Sequence, residues 1–219
     1  MKLKVCGMKH NPLEVAALQP DYLGFIFWEG SPRHFDGAIL PELPGGITRV
    51  GVFVDAPMEY VLQKIRNFDL GALQLHGKES AAYCRELRER LGQESGAAFL
   101  IKAFSVGEAF EFESLKPYLP VADYFLFDTK GPMPGGNGRA FDWELLQNYP
   151  FEKPYFLSGG IGEAHCEKLL DFVRSPQGKH CHAIDVNSAF ETRPGEKDTD
   201  ALRRFVGCEF WEIAGRFKT

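Results

Sequence analysis

The chain has 219 residues, 44% of them hydrophobic and 25% charged, with 25 basic against 30 acidic side chains and a formal net charge of −5. That length suits one domain spanning residues 1–219, and the interspersed charge excludes the clustered basic face that nucleic acid requires. Cys6, Cys84, Cys166, Cys181 and Cys208 are odd in number, widely spaced and without a C-x-x-C pair. Free thiols in a reducing cytoplasm are therefore expected, rather than a disulfide framework or a zinc site.

The chain opens MKLKVCGMKH, where Lys2, Lys4, Lys9 and His10 alternate with apolar residues and read as a strand edge. This stretch lacks the apolar core of a signal peptide, and no later run approaches the roughly 20 apolar residues that span a bilayer, so no membrane partner is expected. A strand is expected over residues 3–6, then a helix PLEVAAL capped near Asn11, with Pro12 suited to its first turn. A second strand covers 22–27, followed by the short, Pro-broken DGAILPELPGG, a poor helix. Strand three covers 49–54; Asp55 then precedes PMEYVLQKIRNF, whose Val61, Leu62 and Ile65 share a face. Strand four (71–75) leads into ESAAYCRELRERL, with Tyr83, Leu87 and Leu91 in register. Strand five (98–104) precedes a moderate helical stretch, GEAFEFESLKPYL, and strand six (124–128) precedes the glycine-rich loop GPMPGGNGR. Strands seven (155–158) and eight (183–186) follow, and Asp198 caps a last helix projecting Leu202, Phe205 and Val206. Cys84, Cys166 and Cys208 fall in helical segments and read as packing.

Runs such as YLGFIF, RVGVFV and YFLFD are apolar at nearly every position, the mark of strands covered on both faces in a parallel sheet. Eight such units without a linker favour a closed (β/α)8 TIM barrel over an open doubly wound sheet. In that barrel, active sites lie at the C-terminal strand ends. Cys6, Arg33, His76, Asp128, Ser158, Asp185, Asn187 and Ser188 all fall there. The Cys181–His182 pair begins a strand at the opposite rim and is discounted as a metal site.

Gly159, Gly160, Asn187 and Ser188 follow strands seven and eight, where barrels of this kind build phosphate sites from backbone N–H groups and a short helical turn; the bland reading makes them turn residues. The loop GPMPGGNGR lacks the G-K-[ST] ending of a nucleotide-binding loop and suits a lid beside Asp128. Position leaves Cys6 open between a packed and a reactive thiol. A carboxylate ending an apolar run, as Asp128 does, is either paired (with Lys130 or Arg139) or chemically employed. His76 fits a loop hydrogen bond equally well. Asp185 reads as ordering the phosphate loop, with a second catalytic carboxylate as the alternative.

The segments KVCGMK (4–9), DYLGFIFWEGSPR (21–33), VGVFV (50–54), LQLHGKE (73–79), FLFDTK (125–130), GGNGRAFDW (135–143), FLSGGI (156–161), AIDVNSAFE (183–191) and PGEKD (194–198) resemble, in order and from end to end, the phosphoribosylanthranilate isomerase family. The resemblance implies an Amadori rearrangement of N-(5-phosphoribosyl)anthranilate in tryptophan biosynthesis, on a small phosphorylated substrate and without metal or organic cofactor. It places the family's catalytic cysteine on Cys6 and its aspartate on Asp128. Its arginine for the anthranilate carboxylate falls on Arg33, and its phosphate site on Gly159, Gly160, Asn187 and Ser188, beside Asp185. Asp128 would protonate the furanose oxygen and Cys6, as thiolate, would take the C2′ proton; the carboxyl is expected to be held protonated by its apolar floor, and the thiol to be activated. Ala189 stands where the family has glycine, and Arg139–Ala140 where it has Lys-Thr. A cytoplasmic monomer or homodimer is expected. The alternatives are a histidine-pathway or dual-substrate barrel isomerase, which carries a carboxylate in place of Cys6, and a silent phosphometabolite-binding barrel.

Overall fold

The computed structural model describes residues 1–93, 98–129 and 142–215. Eight strands, β1 (Lys2–Val5), β2 (Tyr22–Ile26), β3 (Thr48–Phe53), β4 (Ala72–Leu75), β5 (Phe99–Val106), β6 (Tyr124–Thr129), β7 (Tyr155–Leu157) and β8 (Cys181–Val186), pair in parallel and in chain order. β1 closes the ring by pairing Lys2–Val5 with Ala183–Val186. The open-sheet alternative is thereby excluded. Strand ends differ from the sequence expectation by a residue or two, because pairing outlasts regular strand geometry. Cys6 N–H still donates to Val186 O at 2.8 Å, and Phe27 N–H to Val52 O at 2.8 Å.

The helices are α1 (Pro12–Ala16), α2 (Met58–Phe68), α3 (Ala81–Gln93), α4 (Cys166–Arg174), α5 (Thr199–Val206) and α6 (Glu209–Ile213). Pro12 occupies the first turn of α1, and Asp198 caps α5 by accepting from Ala201 N–H at 2.9 Å. The expected cap at Asn11 and the aspartate before α2 both take other partners. Asn11 turns its amide to Lys197, donating to its carbonyl at 2.8 Å and accepting from its N–H at 2.9 Å. Asp55 adopts φ +48 and accepts from Lys78 N–H, leaving Pro57 at the start of α2. No helix fills the connection from β2 to β3, where Pro41 and Pro44 interrupt the backbone ladder. The fifth connection tightens into a 3-10 turn, Phe112–Tyr118, which contains Pro117.

Strand residues facing outward, such as Leu3, Val5, Phe25, Phe53, Phe127 and Ile184, bury against helix residues including Val15, Leu62, Leu87, Leu169 and Phe205. Inside the barrel, Tyr22, Val50, Ala72, Ile101, Leu126, Phe156 and Ala183 make an apolar layer. A second inner group, Cys6, Ile26 and Val52 with Trp28 against it, borders the site. Lys4, Gln74 and Asp185 are also buried. The reading of Lys4 as an edge residue is corrected here: the two-residue strand period turns it inward, opposite Asp185 in register, and Lys4 Nζ lies 2.9 Å from Asp185 Oδ1. Leaving either charge alone in that interior costs about 3–5 kcal/mol.

The cysteine expectation is corrected too. Cys166 at the start of α4 and Cys208 just before α6 form a disulfide with Cα atoms 6.6 Å apart, while Cys6, Cys84 and Cys181 are free. Sequence spacing hid the pair because 42 residues separate cysteines that the closing turn of the barrel brings together.

Candidate active site

The C-terminal ends of the strands surround a cavity of about 260 Å³. Every residue singled out for the site reaches it: Cys6, Arg33, Asp128, Gly159, Gly160, Asp185, Asn187 and Ser188 line its wall, as do His76 and Ser158. Ile26, Trp28, Pro32, Val52 and Ile161 supply apolar wall. Lys130, Arg139, Ala140 and the glycine-rich loop of residues 131–139 lie outside the described residues.

Cys6 follows β1 and is 4% exposed. Burial pushes its thiol up from the ordinary range; the charge of Lys4 pulls it down, Asp185 opposes that pull, and Lys197 adds to it. Asp128 is presented near the end of β6. Its Oδ1 accepts from Thr129 N–H at 2.9 Å, and its Oδ2 lies 3.3 Å from His76 Nε2. The other nitrogen of His76, Nδ1, is 2.7 Å from the Gln74 side-chain amide, so the ring is steered from its far side. The β4 end that carries His76 is fixed by a buried network. Lys102 Nζ donates to the carbonyls of Leu75 and Gly77 and pairs with Glu79 at 3.1 Å, while Glu79 accepts from Asp55 and Gly77 N–H.

Arg33 reaches the cavity from the loop after β2. Its Nε and Nη2 bind both oxygens of Glu191, at 2.7–2.9 Å. Such a fork fixes the guanidinium plane and leaves Nη1 without a partner among the described residues. Glu191 begins a small hairpin, β9 (Glu191–Arg193) with β10 (Glu196–Lys197). Burial favours its neutral form, but the hydrogen bond from Arg33 and the charge of Lys197 outweigh it and hold the carboxyl low.

The loops after β7 and β8 bring backbone to the cavity. Gly159 and Gly160 adopt φ +96 and +62, and a Cβ on Gly159 would overlap the Thr129 side chain. A bare backbone can therefore approach an anion closely here. Ser188 opens a 3-10 turn, Ser188–Phe190, that exposes its first N–H groups. Asn187 precedes this turn without capping it: its Oδ1 accepts from Lys197 Nζ at 2.7 Å. Ala189 keeps a negative φ, so it stands in for glycine without backbone strain. Asp185, expected to order this loop, accepts instead from Lys4 at the base of the cavity. Lys197 is the residue bonded to the loop, through Asn187 O and Oδ1, and it binds Glu191 at 2.8 Å. Burial lowers the Lys197 ammonium to about 8, although Glu191 opposes the shift.

Lys4, Glu191 and Lys197 are the members that reading the sequence missed. The available signals were weak: a lysine two residues before Cys6 on one strand face, and charged residues inside segments already matched to the family.

A profile of the family described as PRAI, N-(5′-phosphoribosyl)anthranilate (PRA) isomerase, matches residues 3–207. The N-(5′-phosphoribosyl)anthranilate isomerase of Parabacteroides distasonis is 40% identical over 213 residues, covering 94% of this chain and 92% of its own length. That of Phocaeicola vulgatus is 38% identical over 210 residues, covering 94% and 96%. Among solved structures, the Thermus thermophilus phosphoribosyl anthranilate isomerase superposes with a TM-score of 0.77 at 29% identity, covering 99% of this chain and 100% of that one. A phosphoribosyl anthranilate isomerase in complex with reduced 1-(o-carboxyphenylamino)-1-deoxyribulose 5-phosphate superposes with a TM-score of 0.72 at 29% identity, covering 94% and 96%.

Proposed function

We propose a division of labour among these residues from one premise: the chain belongs to the N-(5′-phosphoribosyl)anthranilate isomerase family. It converts N-(5′-phosphoribosyl)anthranilate to 1-(2-carboxyphenylamino)-1-deoxyribulose 5-phosphate in tryptophan biosynthesis. The histidine-pathway and silent-barrel alternatives are set aside with that premise.

Asp128 gives a proton to the furanose oxygen, the C1′–O bond breaks, and the anilino nitrogen supplies the electron pair of the resulting Schiff base. Cys6, as thiolate, then takes the C2′ proton. The C2′ electrons move into an enolamine, which becomes the ketone as C1′ takes up a proton and the C2′ hydroxyl releases one. Thr129 N–H holds one oxygen of the acid, and His76 faces the other at 3.3 Å. Gly159, Gly160 and Ser188 offer N–H groups to the phosphate, and Asn187, tied to Lys197, sets the shape of that loop. Arg33 presents its Nη1 edge to the anthranilate carboxylate, and Trp28, Ile26 and Val52 offer apolar surface to the ring. Asp185 serves the site from beneath, through Lys4.

The observation that carries this reading is the presence of a buried thiol and a hydrogen-bonded carboxyl on the walls of one cavity that glycine backbone also lines. A single domain, a cytoplasmic setting and a monomeric or homodimeric state belong to the same proposal; no helix among the described residues is long and apolar enough to cross a membrane. The test is turnover by the purified chain, followed through the fluorescence of freshly prepared substrate. The signal should decay in proportion to protein added; a flat trace would contradict the reading.

A further inference from the structure

Cys6 shares its surroundings with the buried Lys4–Asp185 pair, which takes part in no proton transfer in the chemistry above. Lys4 and Cys6 are two residues apart along the β1 direction, so the strand period turns both side chains into the barrel. Lys4 is 0% exposed, and its Nζ lies 2.9 Å from Asp185 Oδ1. The charge of the same ammonium also favours the thiolate form of Cys6. On the other flank Gly24 makes room for the sulfur, since a Cβ there would stand 2.8 Å from Sγ. Of the remaining charged groups, Lys197 also pulls the thiol down by its charge, and each of them has partners of its own. Lys197 on β10 is bonded to Glu191 and Asn187, Arg33 to Glu191, and His76 and Asp128 face each other.

Isolated, a buried lysine–aspartate pair contributes little that two apolar side chains would not. Beside a thiol that must ionise in a dry interior, the ammonium has a second anion to hold. We propose that Lys4 is a positioning residue for the isomerisation, the buried counter-ion that the Cys6 thiolate shares with Asp185. This rests on the assignment of Cys6 as the base. Lys4 keeps its proton throughout: the thiol proton leaves to solvent when Cys6 ionises, and the C2′ proton arrives on sulfur during turnover. Burial disfavours the neutral-to-charged change at sulfur, Lys4 counteracts it and Asp185 works against Lys4. The two members of one ion pair therefore act on Cys6 with opposite signs, so replacing each one separately should move the thiol in opposite directions.

The test is alkylation of Cys6 by iodoacetamide across pH in the full-length enzyme, read at the Cys6 peptide by mass spectrometry so that Cys84 and Cys181 do not contribute. In Lys4→Met the midpoint should rise by about one pH unit or more, a loss of about tenfold in thiolate at a fixed pH below it. In Asp185→Asn it should fall, and Lys4→Arg should restore it towards wild type. An unmoved midpoint in Lys4→Met, or movement of both variants in the same direction, overturns the proposal. If Lys4→Met does not fold, Asp185→Asn decides: a lowered midpoint supports the proposal, and an unchanged or raised one overturns it. Turnover by Cys6→Ala is a separate measurement. Retained activity there would remove the base assignment, whereas the alkylation midpoints report the Lys4–Cys6 coupling.

Discussion

Gly24 on β2 is a neighbour through which Cys6 can be disturbed from within the barrel wall. An ideal Cβ at this position stands 2.8 Å from Cys6 Sγ, 3.2 Å from its Cα and 3.3 Å from its Cβ. Ordinary contact needs about 3.5–4.0 Å, so Gly24→Ala must open a gap of about 1 Å. The backbone has little room to give: Cys6 N–H is held by Val186 O at 2.8 Å, and Met8 N–H by Gly24 O at 2.9 Å. The thiol therefore takes most of the shift. Overpacking of this kind costs about 1–3 kcal/mol, equivalent to about 2–4 °C of Tm per kcal/mol in a protein of this size. Displacing a reacting group by about 1 Å costs on the order of a hundredfold in rate. Steady-state fluorescence turnover should show kcat down about a hundredfold with KM changed far less, and calorimetry a Tm lower by several degrees. A kcat within about twofold of wild type would refute the link between the room at Gly24 and the placement of the base.

Arg33→Ala should raise KM by about tenfold or more, as loss of a charge-assisted contact implies, with a smaller effect on kcat; an unchanged KM removes the carboxylate contact. Gly159→Ala places a Cβ against Thr129 in a left-handed backbone, so it should weaken competitive inhibition by inorganic phosphate along with substrate binding. Equal inhibition of both forms would detach this glycine from the phosphate site. Burial, with Lys2 adding to it, lowers the His182 imidazole from 6.5 to about 4, and Nε2 lies 2.8 Å from Tyr22 OH. Between those two values the unfolded chain binds a proton that the folded one refuses, so stability falls as pH drops through that window and the loss ends near pH 4. Urea unfolding at several pH values should show a shallower acid dependence in His182→Gln; an identical slope would exclude the histidine as its source.

The barrel was legible because eight apolar runs alternate with helical periods, and because a strand buried on both faces leaves no polar alternation to misread. Chemistry-bearing residues at the strand ends were legible for the same reason. Asp128 and Cys6 interrupt apolar runs at the rim where a barrel places its site. Pairing was not legible. Lys4 resembled an edge residue until closure of β1 on β8 set it opposite Asp185, and neither residue announces the other across 181 positions. Glu191 and Lys197 are unremarkable charges in a hairpin until that hairpin folds back over Arg33 and Asn187. Cys166 and Cys208 likewise became partners only through helix packing at the closing turn. Local rules failed at Asn11 and Asn187, both good capping residues, because Lys197 offered each of them a tertiary partner. The connection after β2 was rightly read as unfit for a helix, since its prolines lie within the sequence itself.

Turnover of fluorescent N-(5′-phosphoribosyl)anthranilate by Cys6→Ala tests the division of labour most directly, provided circular dichroism shows the fold unchanged. Cys6 is nearly enclosed, and removing its sulfur leaves Asp128, Arg33 and the glycine loops in place. The variant should bind substrate and fail to convert it. A folded Cys6→Ala enzyme with near-normal kcat would contradict the assignment of the C2′ proton to this thiol.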